Sequence, residues 1–301
     1  MIKNMMRVVV YLSLIVGILG YFNTNATSET SSQMMPLRQL LEKNILPIKA
    51  NVSVAYTDIF TGETLVINDT KRFNPASVIK VPVMIETYRQ ISQERFKFTD
   101  KLVLKPEYKV WGSGQLFYAK PGTEYTIRTL MENMIIHSDN TATKMLIDLV
   151  GMDNINQTMR SLGLTDTVVR TDNLINAEGL NFSKPSDMNK LMYKLYKGEI
   201  VSKQASDDMI GIMLRQQHRW GIPRVLPSTV QVANKTGTLT GIRNDSGIIL
   251  YKNAPYILTI FTRSDSNQIA QNFVKKVSLD IYKWKESNNA VSRENTAMVS
   301  Y

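Results

Sequence analysis

The chain has 301 residues, 43% apolar and 21% charged, enough to bury a sizeable core in one or two domains. Its 36 Lys and Arg against 26 Asp and Glu leave a formal charge of +10, and cysteine is absent. This profile excludes disordered, collagen-like and coiled-coil proteins, disulfide scaffolds, thiolate metal sites and cysteine nucleophiles, and two histidines, His137 and His218, are too few for a histidine metal centre.

Residues 1–28 read as a signal peptide or an N-terminal membrane anchor. Lys3 and Arg7 precede an uncharged run over residues 8–28, and Thr24-Asn25-Ala26 is a passable cleavage site. Positive residues before that run and Glu29 after it predict an exported protein of the cell envelope or the extracellular space. Residues 34–46 carry apolar side chains at helical spacing up to Pro47. Residues 51–59 and 63–68 alternate, and Thr61-Gly62 between them predicts a hairpin. Pro75 introduces a predicted helix from Ser77 to about Ser92. Helical spacing recurs over 127–137, 141–150, 152–162, 185–197 and 203–216, with 170–183 an aperiodic loop. Strand patterns return at 230–233, 246–251 and 256–262, followed by a terminal helix over 268–284 and a flexible tail at 287–301. The order predicts an α/β fold of the α+β sandwich kind: an antiparallel sheet from residues 34–72 and 220–286, flanked by terminal helices, with an all-helical insert over 73–219. The insert should sit on the sheet edge, and the junction is the default place for a cleft.

Three short motifs carry chemistry. Ser77-Val78-Ile79-Lys80 is the sole S-x-x-K. Helix positions three apart share a face, so the Lys80 amine can reach the Ser77 hydroxyl, at a helix start that favours developing negative charge. A serine hydroxyl needs a base to become a nucleophile, and a desolvated lysine beside other cations has the lowered pKa for that role. Ser138-Asp139-Asn140 follows a helical run, and Lys235-Thr236-Gly237 ends a strand pattern. Ser138 can relay a proton to a leaving amine and Asn140 can bond a substrate amide. Lys235 can hold an anion, and Gly237 lets a substrate strand lie flush on a sheet edge. Each motif alone is weak; the three together in this order are not.

With S-x-x-K, S-D-N and K-T-G in sequence, the chain resembles the penicillin-recognising serine hydrolases, and within them the class A β-lactamase-like family. The resemblance covers about residues 36–286 and implies the β-lactamase/transpeptidase-like fold. It implies Ser77 as the acylated nucleophile, Lys80 as its proton partner, Ser138 as the relay and Asn140 as a cleft residue. Lys235 and Thr236 would bind the substrate carboxylate, with Gly237 beside them, and the backbone N–H groups of Ser77 and Thr238 would form the oxyanion hole. The implied activity is opening of the β-lactam ring through an acyl-serine, with no metal or organic cofactor. Two alternatives stand beside it: a D-alanyl-D-alanine carboxypeptidase that deacylates β-lactams slowly, and a non-catalytic domain that binds wall peptides or penicillin. The implied partners are a β-lactam or D-Ala-D-Ala-type peptide, with the protein a monomer. The basic excess suits an anionic cell-wall or membrane surface, not nucleic acid, because no basic–aromatic cluster accompanies it.

Two departures from the family pattern stand out. The family's E-x-x-L-N loop corresponds to residues 170–181, which are fewer than usual and offer E-x-L-N at Glu178–Asn181. Glu178 is the candidate water-activating base and Asp172 a second. Ser246 stands before Gly247, where many class A enzymes keep a carboxylate-binding arginine, leaving Arg243 or Arg224 as substitutes. His137 reads as a helix cap, His218-Arg219-Trp220 as a helix terminus, and Trp111-Gly112-Ser113-Gly114 as one wall of the cleft or a turn.

Overall fold

Alternation along one strand sorts the molecule into layers. In β1 (Asn51–Asp58) Tyr56 meets Trp284 edge-on with ring centroids 5.9 Å apart, while the adjacent Thr57 bonds Asn189 on the opposite face. This computed structural model describes residues 31–32, 34–48, 50–172, 181–252 and 254–298, of which 290–298 by backbone alone. The other strands are β2 (Thr64–Ile67), β3 (Lys101–Val103), β4 (Glu124–Thr126), β5 (Gln231–Leu239), β6 (Ile242–Leu250) and β7 (Tyr256–Arg263). The helices are α1 (Met35–Ile45), α2 (Lys80–Ser92), α3 (Ile127–Ile136), α4 (Asn140–Val150), α5 (Met152–Ser161), α6 (Pro185–Lys197), α7 (Lys203–Leu214) and α8 (Asn267–Met298).

Five strands form an antiparallel sheet in the order β2-β1-β7-β6-β5, with β5 at an edge. On one face lies α8, tied to β1 by the buried Lys285–Asp58 ion pair and to α1 by Asn44 Nδ2 donating to Asp280 Oδ2 at 2.8 Å. On the other face α6 runs across β1, β6 and β7, and Asn189 Nδ2 donates to Ala55 O at 2.8 Å. A single apolar cluster on that side joins Met84, Met131, Leu146 and Leu191 of the helices to Ala233, Ile248, Ile257 and Phe261 of the sheet. Each fully buried side chain of this size contributes about 1.5–3 kcal/mol. Contacts divide the chain into a unit over Met1–Met35 and a compact unit over Pro36–Tyr301.

The antiparallel sheet with flanking terminal helices is as the sequence predicts, with four corrections. The segment over 73–219 is not all-helical, because β3 and β4 pair within it; three-residue strands are too short to leave a period. The segment does not merely abut the sheet edge, since α6 covers a face. The helix expected from Ser77 opens as a 3-10 turn, Ala76–Ile79, and α2 proper begins at Lys80. The terminal helix continues to Met298 through residues read as a tail; that stretch has no Gly or Pro but also no apolar stripe. Among the described residues no helix is long and apolar enough to cross a membrane, and the segment at 1–28 lies outside them.

Candidate active site

Pro75 cannot donate a backbone hydrogen bond, so the chain turns on its neighbours. Ala76 adopts φ 48°, its N–H donates to Asn74 Oδ1 at 2.8 Å, and the Asn74 carbonyl accepts from Asn244 Nδ2 of β6 at 2.9 Å. The 3-10 turn is thereby pinned against edge strand β5. Gly237 makes this contact possible, because a Cβ there would collide with the Pro75 carbonyl oxygen and come within 3.1 Å of Ala76 Cβ. Its missing side chain thus serves the seating of the Ser77 turn on the sheet edge. Ser77 is half-buried and lines a cavity of about 710 Å³, together with Ser138, Asn140, Thr236 and Thr238.

Two fully buried lysines converge beneath that cavity. Lys80 Nζ donates to Ser138 O at 2.6 Å, to Asn140 Oδ1 at 2.8 Å and to Ser138 Oγ at 3.1 Å. Lys235 Nζ approaches the same Ser138 Oγ at 3.1 Å and donates to Thr236 O at 2.9 Å. One hydroxyl therefore bridges two amines. Burial, with the Lys235 charge adding to it, holds the Lys80 amine well below the ordinary lysine range, against an opposing pull from Asp139. Burial brings Lys235 down to about 7, opposed by Asp245, whose own carboxyl burial pushes up to about 6. The expected Ser77–Lys80 hydrogen bond is not among those the described residues make. The Lys80 amine turns instead to a carbonyl and an amide oxygen, stronger acceptors than a hydroxyl.

Asp139 organises this arrangement from below. Its buried carboxylate caps α4 by accepting from Ala142 N at 2.8 Å, and its second oxygen accepts from Gln115 N at 2.7 Å and Leu116 N at 2.8 Å. Gly114 has no room for a Cβ beside that carboxylate, and Asn140 Nδ2 donates to Trp111 O at 3.0 Å. Ser138, held between these anchors, adopts φ 55°, a left-handed conformation that the surroundings impose on a non-glycine residue. Asp139→Ala strands three backbone amides and is expected to cost about 3 kcal/mol or more in urea denaturation. A loss below about 1 kcal/mol would mean that water replaces the carboxylate.

Residues 36–285 of this chain match the β-lactamase enzyme family. The chain belongs to that family. It is 26% identical to β-lactamase VEB-1 of Pseudomonas aeruginosa over 262 residues, 80% of this chain and 86% of that one. It is also 25% identical to the D-alanyl-D-alanine carboxypeptidase DacF of Bacillus subtilis over 142 residues, 45% of this chain and 36% of that one. The structure of PBP-A superposes with a TM-score of 0.80 at 26% identity, covering 84% of this chain and 97% of that one, as does a PBP-A variant in an acyl-enzyme complex with penicillin-G. The protein is a serine β-lactamase-like hydrolase of the penicillin-recognising kind, with the mixed α/β fold those proteins share.

For a member of the β-lactamase enzyme family, the walls of the cavity are as informative as its floor. Trp111, Gly112 and Ser113 line it, as the cleft-wall reading expects. His218 and Trp220 line it too, and sequence reasoning placed them in a helix end; α7 stops at Leu214, and His218 Nε2 lies 3.1 Å from His137 O. Nothing periodic marks a loop residue of this sort; the only available signal was the Gly221-Ile222-Pro223 break just after it. Of the two substitute arginines, Arg243 lines the cavity, with Nη1 on the carbonyls of Leu239 at 2.7 Å and Ile242 at 2.8 Å, whereas Arg224 is exposed and does not line it. Glu178 lies outside the described residues. Asp172 lies within them and forms an ion pair with Lys144.

Proposed function

We propose that this protein opens β-lactams through an acyl-Ser77 intermediate. The observation that carries the reading is the convergence of two buried, pKa-depressed lysines on one serine hydroxyl in the cavity that Ser77 lines. The substrate carboxylate docks on Lys235, Thr236 and Arg243, and the N–H groups of Ser77 and Thr238 receive the carbonyl oxygen. Neutral Lys80 takes the Ser77 proton, Ser77 Oγ bonds to the carbonyl carbon, and the carbon–nitrogen bond breaks as Ser138 passes a proton to the leaving nitrogen. Water then cleaves the ester. Export is part of the reading, supported by the basic start and uncharged run of residues 1–28.

A second reading, a D-alanyl-D-alanine carboxypeptidase that β-lactams trap, is favoured by one observation: the Asp172 carboxylate is occupied by Lys144. The two readings share the acylation half and part at deacylation. A chromogenic cephalosporin should give a burst of about one equivalent per protein, then steady turnover that exceeds release of D-alanine from a D-Ala-D-Ala peptide. D-alanine release as the faster reaction would favour the carboxypeptidase. Neither a burst nor turnover nor peptide cleavage would sink both.

A further inference from the structure

We propose that Lys144 is a positioning residue that holds the Asp172 carboxylate away from the acyl ester and so sets the rate of deacylation. The inference deepens the acyl-Ser77 reading and rests on it. Lys144 lies four residues after Asn140 on α4, on the same helix face and about 6 Å further along the axis. Asn140 Oδ1 is 2.8 Å from Lys80 Nζ, so this face of α4 leads directly out of the lysine pair. Asp172 is therefore paired with a side chain that leaves α4 one helical turn after Asn140.

Its attachment is well defined. Asn181 Oδ1 accepts from Arg170 N at 2.7 Å and Thr171 N at 3.0 Å, and its amide donates to Thr171 O at 3.0 Å, which fixes the chain just before Asp172. The Lys144 ammonium then fixes the carboxylate itself, with the two side chains only 24% and 35% exposed. The other acid on this stretch of α4, Asp148, accepts instead from Tyr108 OH at 2.8 Å. A carboxylate oxygen engaged by an ammonium is not free to hold a water against the acyl ester. Released, it speeds deacylation as a general base: it takes a proton from a water, the water oxygen bonds to the acyl carbon, the bond to Ser77 Oγ breaks, and the proton returns to Ser77 Oγ. The products are the hydrolysed acid and free Ser77.

Lys144→Met keeps the apolar stem and removes the charge. The test follows the acyl-Ser77 adduct of benzylpenicillin by mass spectrometry in the wild type, in Lys144→Met, and in Lys144→Met with Asp172→Asn. The adduct should decay about tenfold or more faster in Lys144→Met, with its formation rate within about twofold of wild type, and the added Asp172→Asn should cancel the gain. An unchanged or longer adduct lifetime in Lys144→Met would overturn the proposal, as would a gain that survives in the double variant. Absence of any Ser77 adduct in all three proteins would instead defeat the acylation reading.

Discussion

Lys80→Met should slow acylation by a penicillin by about 10² or more while leaving the fold intact. Among the described residues the neighbouring groups have other partners: Lys235 is committed to Ser138 Oγ and the Thr236 carbonyl, Asp139 to three backbone amides, and His218 Nε2 lies against the His137 carbonyl. The side chain is fully buried, and burial is the main cause that holds its amine well below the ordinary lysine range, as a base for a hydroxyl requires. Methionine fills nearly the same volume but leaves the buried Ser138 carbonyl and Asn140 Oδ1 without their donor, so a loss of about 1–3 kcal/mol in stability should accompany the loss of acylation. Stopped-flow acylation separates the outcomes. A loss below about threefold would show that another group activates the serine.

The pH profile of kcat/KM should be bell-shaped, and its two limbs should belong to different lysines. On the acid side, activity requires Lys80 without its proton. On the alkaline side, capture of the substrate carboxylate requires Lys235 with its proton, and that charge is lost as pH rises through about 7. Lys235→Arg keeps a charge at every working pH, so the alkaline limb should flatten even if the absolute rate falls. The same group leaves a mark on stability. Between about 7 and the ordinary lysine value of 10.5, the unfolded chain holds a proton at residue 235 that the folded chain does not. Its contribution to unfolding free energy should therefore rise with pH across that window. An alkaline limb that persists unchanged in Lys235→Arg would assign the inflection elsewhere.

What the sequence made legible follows from where its signals come from. β1 alternates, β7 is a nearly continuous apolar run buried on both faces, and both leave strand patterns that need no tertiary information. β6 begins at Ile242, ahead of the strand pattern at 246–251, because Arg243, Asn244 and Asp245 are polar residues that leave no apolar pattern. Their partners come from distant segments: Asn244 bonds the Asn74 and Thr262 backbone, and Asp245 accepts from Asn234 Nδ2 and Ile222 N. The 3-10 turn at Ser77 looked like a helix start because the two share a spacing over one turn. Of the site, the three motifs supplied Ser77, Lys80, Ser138, Asn140, Lys235 and Thr236, which the fold brings together. His218, Trp220 and the cavity placement of Arg243 come from loops and a hairpin end, where position depends on tertiary packing and not on period. The Lys144–Asp172 pair joins a helix to a loop 28 residues later in the chain, and no local pattern connects them.

The account rests on Ser77 being the residue that becomes acylated. Purified protein incubated with benzylpenicillin, then digested and mapped by mass spectrometry, should carry one drug-mass adduct on the peptide containing Ser77, and Ser77→Ala should carry none. An adduct mapped to a different residue, or an adduct that survives in Ser77→Ala, would contradict it.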